Sequence, residues 1–253
     1  MQMNKLILGL VLFLFGLAGI MSVLTLEIPI PLEAEAILSS DFSPMQIKLL
    51  MLINPIIMLI VAVTAGIFLY EKVNLHVPIF EWLISRRYFK PDFKSILKHG
   101  IVGGLIAGIL ISLISLVFYP MLPEEFLELG EKLKPGLAAR FLYGGITEEI
   151  LMRFGLMTFI VWIAFKIVKE KRPQIYWTGI IISALIFAVG HFPVAFYAVG
   201  NPSLTLLVYI LLGNTIGGII FGYLYWKRGL ESACIAHIFA HVAMLMAEPV
   251  LKL

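Results

Sequence analysis

Residues 144–155 read GGITEEILMRFG and carry two adjacent glutamates and an arginine within an otherwise apolar stretch. The segment that follows, LMTFIVWIAF at 156–165, has the composition of a membrane helix. The apolar run at 137–165 exceeds the about 20 residues that cross a hydrocarbon layer of about 30 Å. An ionised side chain deep in such a helix costs roughly 3 kcal/mol on insertion scales. The stretch therefore indicates a membrane helix whose charged residues pair with one another or perform a function.

The whole chain has the composition of an integral membrane protein. Of its 253 residues, 60% are hydrophobic and 14% are charged, and the mean hydropathy is +0.99. Soluble domains are about half apolar and about one quarter charged. About seven runs are long enough to span a bilayer: residues 5–26, 47–70, 96–119, 137–165, 175–199, 203–226 and 229–250. We therefore predict an all-α fold, a polytopic membrane bundle of about seven transmembrane helices.

The charges of the connecting segments alternate in sign along the chain. Acidic residues dominate after spans one and three, and basic residues dominate after spans two, four and six. Basic connections remain in the cytoplasm, so we predict a cytoplasmic N-terminus. The net charge of +3 then reflects loops beside anionic lipid. This composition predicts the lipid bilayer as a partner. It predicts no nucleic-acid partner.

The first part of the chain contains little that could carry chemistry. We predict that residues 1–95 form scaffold helices with a cytoplasmic interfacial helix, and that residues 96–253 form a catalytic transmembrane core. The segment 77–100 is rich in aromatic and basic residues, which is typical of a helix in the membrane interface and suggests access from the cytoplasm. Small residues in GGLIAGIL and GNTIGGIIFG predict close helix packing. Asn214 and Thr215 in span six could line a polar cavity, but helix packing is the favoured interpretation.

Ionisable residues are concentrated in three late spans. A single polar residue in a membrane helix often serves only as a hydrogen bond between helices. Six such residues in three helices instead indicate a shared polar site. They are Glu148, Glu149 and Arg153 in span four, His191 in span five, and His237 and His241 in span seven.

Helical spacing separates the two glutamates. Glu149 and Arg153 are four residues apart and so about 40° apart around an α-helix, which allows an ion pair. Glu148 lies about 140° from Arg153 and faces another neighbour. A carboxylate in a cavity of low dielectric constant suits a general base.

The histidines could meet Glu148 in one cavity. His237 and His241 share one helix face, at about 12 to 18 Å from the cytoplasmic end of their span. Glu148 and His191 fall at about 24 to 26 Å. One glutamate and three imidazoles around a water molecule could form either a metal site or a metal-free acid/base site.

Three motifs connect these residues to a known family. EEILMR at 148–153, FAVGH at 187–191 and HIFAH at 237–241 match, in order and in separate helices, its EExxxR, FxxxH and HxxxAsx motifs. The chain resembles the CPBP, or Abi, intramembrane proteases, which include the type II CAAX prenyl endopeptidases and bacterial bacteriocin-immunity relatives. The resemblance covers residues 140–245, and residues 1–95 contribute nothing to it.

The resemblance implies roles for the motif residues. Glu148 and His191 would hold and activate the attacking water, Glu149 would pair with Arg153, and His237 and His241 would stabilise the oxyanion. The family usually has Asn or Asp at the position of His241. This histidine can donate a hydrogen bond or act as an additional metal ligand. If a divalent metal such as zinc is bound, the implied ligands are Glu148, His191, His237 and His241; a metal-free site is the alternative.

We predict a hydrolase: an intramembrane endopeptidase, of the metallo or glutamate type, that cleaves a membrane-associated protein or peptide, prenylated or not. One alternative is a proton-coupled transporter that uses the Glu/His cluster as a relay. Another is a non-enzymatic scaffold or immunity protein.

The sequence contains no acceptor site for N-glycosylation, Asn-x-Ser/Thr with x other than Pro. This absence favours a prokaryotic cytoplasmic membrane. The sequence indicates no oligomeric state.

Overall fold

The computed structural model describes residues 4–26, 41–85 and 90–251. The fold is 87% helix, and the described part of the chain contains no strand. Seven helical segments are long and apolar enough to cross a membrane, which confirms the all-α, seven-span prediction. We refer to them as spans one to seven: Lys5–Thr25, Pro44–Val73, Phe93–Met121, Ala139–Val168, Pro173–Val199, Leu204–Arg228 and Leu230–Val250.

Several spans contain more than one helix. Span two joins Pro44–Met51 to Ile53–Leu69, and span five joins Pro173–Val189 to Phe192–Val199. The other α-helices within the described residues are Lys5–Ser22, Pro78–Ser85, Phe93–Phe118, Glu124–Lys132, Thr158–Val168, Leu204–Arg228 and Leu230–Leu251. Short 3₁₀ turns follow the α-helices that end at Ser22, Leu69 and Phe118. These turns are Val23–Thr25, Tyr70–Val73 and Tyr119–Met121.

The orientation of the bundle stays a prediction from charge. Of the charges on which it depends, Glu27, Glu33, Glu35, Arg86 and Arg87 lie outside the described residues. The division into residues 1–95 and 96–253 also stays a prediction. One hydrophobic core runs from Leu8 in span one to Ala240 in span seven.

Spans three and seven pack along a row of glycines spaced four residues apart. A methyl group added at Gly104 would collide with the carbonyl oxygen of Ala236, and one added at Gly108 would meet Ala240. A methyl group added at Gly100 would collide with the side chain of Ile235. These contacts confirm the close approach predicted from GGLIAGIL, because only glycine lets the two backbones come this near.

Span four packs against the first two spans. The Thr147 hydroxyl donates to the carbonyl oxygen of Gly16 at 2.8 Å, and Gly19 lies directly against Thr147. Further along, Gly155 packs against Ala62 of span two, and Gly66 packs against Phe154. Spans one and two therefore fix the position of the helix that carries the glutamates.

The first two-thirds of span four is π-helical, whereas the sequence predicted an ordinary helix. The π-helical segments are Ala139–Glu148 and Ile150–Met157. The Thr147 hydroxyl donates to the carbonyl oxygen of Leu142, five residues earlier, at 3.3 Å. The Thr158 hydroxyl donates to the carbonyl oxygen of Arg153, also five residues earlier, at 3.1 Å. π-Helical turns are rare and occur frequently at functional sites, and this one contains the EEILMR motif.

The interfacial helix is shorter than the predicted segment 77–100. It covers Pro78–Ser85, and span three already begins at Phe93. Its first turn is capped from span seven, because the backbone N–H groups of Ile79 and Phe80 donate to Glu231 Oε1 at 2.8 and 3.1 Å. The start of span seven is consequently covered by this helix.

Candidate active site

The four residues predicted to act on substrate line one cavity of about 610 Å³. Glu148, His191, His237 and His241 come from spans four, five and seven and are all on its wall. Glu149 and Arg153 lie behind the wall, with fully buried side chains. The doublet is therefore divided as the spacing predicted, with one carboxylate towards the cavity and one towards the protein interior.

Glu149 contacts two partners. Its Oε2 lies 3.2 Å from Arg153 Nε, which is the ion pair expected from the i,i+4 spacing. Its Oε1 accepts a hydrogen bond from His237 Nδ1 at 2.9 Å. The second contact was not predicted, and it makes Glu149 the residue that orients a cavity-lining imidazole.

Arg153 is enclosed by aromatic rings as well as by the carboxylate. Its guanidinium carbon lies 5.5 Å from the ring centre of Phe187 and 5.9 Å from that of Phe221. Among the described residues, Nη1 and Nη2 have no hydrogen-bond partner. A buried cation over two ring faces is stabilised by their negative quadrupoles, so this charge depends on Glu149 and two phenylalanines together.

His237 stands between the two glutamates. Its Nε2 is 3.9 Å from Glu148 Oε2, which is too long for a direct hydrogen bond, while Nδ1 is bonded to Glu149. Phe221 stacks on one side of its ring at 4.6 Å, and His241 stacks on it at 5.1 Å. These contacts fix the ring plane and direct Nε2 towards the carboxylate of Glu148.

His191 has a defined tautomer. Its Nδ1 lies 2.8 Å from the carbonyl oxygen of Phe187, and a carbonyl oxygen only accepts. Nδ1 therefore carries the proton, and in the neutral ring Nε2 is left as an acceptor. The ring also stands edge-on against Phe187 at 4.7 Å, so the first residue of the FAVGH motif orients the last.

His241 depends on a glycine of span four. Its Nε2 lies 2.8 Å from where a β-carbon of Gly144 would be, so a side chain at this position would displace the imidazole. Its Nδ1 is buried and has no hydrogen-bond partner within the described ranges. The ring is held by the stacking contact with His237 and by the space that Gly144 leaves.

The convergence that the predicted depths allowed is found in the structure. Counting along the spans put His237 and His241 nearer the cytoplasmic end than Glu148 and His191, and all four side chains line the same cavity. Leu230 and Glu231 are only 2% and 8% exposed and lie beneath the interfacial helix. Span seven therefore begins below the surface of the protein, which the count could not include.

Two wall residues were missed from the sequence, and for a third the less favoured alternative is found. Phe221, which contacts both His237 and Arg153, is one apolar residue among many in span six and gives no signal there. Asn214, for which helix packing was favoured over a place on the cavity wall, lines the cavity. Arg140 also lines it, and its signal was a cation at the start of an apolar run.

The cavity extends towards the end of the bundle that carries the acidic connections. Leu26 follows span one, Phe126 and Leu133 follow span three, and Val23 lies in the last turn of span one; all four are on its wall. No described residue of the segment 77–100 lines it. The wall residues beyond the spans therefore come from the end opposite to that segment, and the side of substrate entry stays a prediction.

Metal binding was one of the two alternatives for the cavity side chains, and it stays a prediction. Within residues 4–26, 41–85 and 90–251, no group of three or more His, Cys, Asp or Glu side chains is placed to hold a metal ion. Glu149 is already paired with Arg153 and His237, so it is not placed to act as a ligand. We therefore derive no catalytic step through a metal.

The comparisons with known proteins gave one match. Residues 131–243 match a protein-family model described as type II CAAX prenyl endopeptidase Rce1-like. Among the curated proteins and among the solved structures, none matches this chain. The matched range contains all six predicted site residues, and the match supports a protease that lies in the bilayer and acts on a protein substrate. The family predicted from the three motifs is therefore the one whose model the chain matches, the Rce1-like type II CAAX prenyl endopeptidases.

Proposed function

We propose that this protein is an intramembrane endopeptidase in which Glu148 is the general base. The observation that carries the proposal is the division of the glutamate doublet: Glu148 lines the cavity, and Glu149 is buried with Arg153 and His237. Glu148 is 18% exposed, so it can reach water that enters the cavity. Glu149 has no exposure and serves to orient His237.

In the proposed reaction a water molecule lies between Glu148 and His191. Nε2 of His191 accepts one hydrogen bond from it, and Glu148 takes the proton as the oxygen attacks the scissile carbonyl. The carbonyl oxygen then becomes an oxyanion. Glu148 returns the proton to the leaving amine as the carbon–nitrogen bond breaks. This gives a free amine and a carboxylic acid, which then releases its proton to water.

His237 and His241 are proposed to stabilise the oxyanion. Donors fixed in position before reaction often supply the largest single contribution to amide hydrolysis. His237 can donate to the oxyanion when its Nε2 carries a proton, and the hydrogen bond from its Nδ1 to Glu149 holds the ring in place. His241, stacked at 5.1 Å, lies beside it on the same wall.

We propose that substrate reaches Glu148 from the end of the bundle with the acidic connections. The wall residues Val23, Leu26 and Leu133 support this direction. Under the charge-based orientation that end is outside the cytoplasm, in a prokaryotic cytoplasmic membrane. The substrate is then a membrane-associated protein or peptide, prenylated or not, whose cleavage site enters the outer half of the bilayer.

The proposal is tested by comparing peptide termini. Membranes from cells that express the native protein or Glu148→Gln at equal levels are analysed by mass spectrometry. Loss of a general base lowers the rate by about 10²- to 10⁴-fold, so termini that depend on the protein should disappear in the variant. Cleavage by purified Glu148→Gln at the native rate would overturn the mechanism. A cellular phenotype that survives the variant would favour the scaffold or immunity alternative.

A further inference from the structure

Three exposed cations lie where spans three and six meet, at the end of the bundle with the basic connections. Arg228 is the last residue of span six, and Lys94 and Lys98 lie in the first two turns of span three. We call these three residues the basic cluster. Within the described ranges, no acidic side chain forms an ion pair with any of them. Cations gathered without a counter-charge attract an anion from outside the chain.

Two contacts hold span six against span three at this point. Arg228 Nη2 lies 3.4 Å from His99 Nε2. His99 Nδ1 is 2.7 Å from the carbonyl oxygen of Ser95, so Nδ1 carries the proton and Nε2 can accept. One turn deeper, a β-carbon added at Gly103 would come within 2.8 Å of the Leu224 side chain. The guanidinium is thus fixed beside the two lysines of span three.

Arg228 keeps hydrogen-bond donors for a ligand. A guanidinium has five N–H donors, and those of Arg228 contact His99 and, at 3.3 Å, the carbonyl oxygen of Lys227. Three donors therefore remain beyond these two acceptors of the described residues. The neighbouring cation is placed differently, because Lys227 Nζ lies 3.5 Å from the centre of the Trp226 ring. Of these two adjacent cations, Arg228 is the one available to an anion.

An exposed apolar strip leads from the basic cluster into the membrane. Gly100 of span three faces span seven, and Lys98 lies about 160° around the helix from it, on the opposite side. Val102 and Ile106 follow Lys98 at four-residue intervals and are 47% and 49% exposed. A cation above an apolar strip matches a molecule with an anionic head and a hydrocarbon chain.

We propose that the basic cluster binds the headgroup of an anionic phospholipid, one acyl chain of which lies along Val102 and Ile106. The Arg228 guanidinium can hold two phosphate oxygens at once, and the lysines act as point charges beside it. Under the charge-based orientation this is a lipid of the cytoplasmic leaflet, whose surface is negative. None of these residues lines the reaction cavity, so the inference does not depend on the proposed peptidase activity.

The test measures, by native mass spectrometry, the first phospholipid that the purified full chain retains when it is released from neutral detergent. Dioleoyl phosphatidylglycerol is compared with dioleoyl phosphatidylcholine, which has the same chains and no net charge. A Lys or Arg at the membrane surface contributes about 5-fold to the binding of an anionic lipid. Native protein should therefore bind phosphatidylglycerol about 10- to 100-fold more tightly than phosphatidylcholine. Lys98→Gln and Arg228→Gln should each weaken phosphatidylglycerol about 5-fold and leave phosphatidylcholine unchanged.

Lys166→Gln is the matched control, because Lys166 is an exposed cation at the same end of the bundle and its Nζ lies over the Trp162 ring. It should change phosphatidylglycerol binding by less than about 2-fold. An equal loss in Lys166→Gln and Lys98→Gln would mean that only overall charge matters, and it would overturn the site. Equal affinity of native protein for the two lipids would overturn it as well.

Glycerol phosphate is the probe that separates a lipid from a free phosphate. It should not displace phosphatidylglycerol at equal concentration, because it lacks the acyl chain that the apolar strip contacts. Displacement at equal concentration would overturn the lipid as occupant. Thermal unfolding shows whether each variant is folded, and Lys98→Gln, a change of one exposed side chain, decides the question if Arg228→Gln is not.

Discussion

At the scale of single residues, the two adjacent glutamates differ because of what they face. Glu149 and Arg153 have fully buried side chains, and the Glu149 carboxylate also orients His237. Glu148 faces the cavity. Breaking a buried ion pair by removing one partner leaves an uncompensated charge and costs about 3–5 kcal/mol, whereas changing a partly exposed carboxylate does not. The doublet therefore offers two variants of identical chemistry with different expected effects.

Glu149→Gln should lower the free energy of unfolding by about 3–5 kcal/mol, because it leaves Arg153 as an unpaired buried charge. The measurement is thermal unfolding of purified protein in one detergent. Glu148→Gln is the control and should unfold close to the native temperature while losing activity. The double variant Glu149→Gln/Arg153→Met should recover part of the lost stability. Equal unfolding temperatures for the two single variants would contradict this account of the doublet.

At the scale of helices, the glycines of span three set its distance from span seven. Because span seven carries His237 and His241, the packing of Gly104 and Gly108 against Ala236 and Ala240 also sets where those imidazoles lie. The glycines lie away from the cavity wall, so this control of the site is indirect. A larger residue would push the two helices apart, since the atom it meets is backbone and cannot rotate away.

Gly104→Ala should destabilise the protein by about 1–3 kcal/mol, the usual cost of overpacking, and should reduce cleavage by moving span seven. Gly213→Ala is the matched control for unfolding in span six, because the nearest atom to an added methyl group there is Ile111 Cγ2 at 4.0 Å. The unfolding temperature is measured for both variants, and kcat/KM is measured for Gly104→Ala alone because Gly213 lines the cavity. If the two alanine variants unfold at the same temperature, the glycine row does not determine the packing of spans three and seven.

At the scale of the whole molecule, the cavity and the basic connections lie at opposite ends of the bundle. The residues that follow spans one and three line the cavity, whereas the basic connections follow spans two, four and six. Positive connections remain in the cytoplasm. The site should therefore be reached from the other side of the membrane.

Cysteine labelling in intact cells measures this orientation. Cys234 is the sole cysteine, so single-cysteine variants are made in a Cys234→Ala background. Leu137, 59% exposed beside the start of span four, and Glu170, exposed between spans four and five, are each changed to cysteine. A membrane-impermeant maleimide should label Leu137→Cys in intact cells and Glu170→Cys only after permeabilisation. The reverse pattern would place the cavity mouth in the cytoplasm.

The sequence by itself determined the properties that depend on local composition and spacing. Apolar runs of sufficient length predicted seven spans, because a bilayer requires each of them to satisfy its own backbone hydrogen bonds. The pairing of Glu149 with Arg153 followed from a separation of one helical turn. The small residues in GGLIAGIL and GNTIGGIIFG predicted that helices approach closely.

Only the tertiary structure decided which distant side chains meet. Glu149 and His237 are 88 residues apart, and Arg140 and Glu248 are 108 apart. Each contact depends on the relative depth and rotation of two helices, which packing sets and hydropathy does not encode. The π-helical form of span four and the burial of Leu230 are of the same kind. Thr147 of span four contacts Gly16 of span one, and Glu231 at the start of span seven contacts the helix at Pro78–Ser85, so both segments lie against parts of the chain that are distant in sequence.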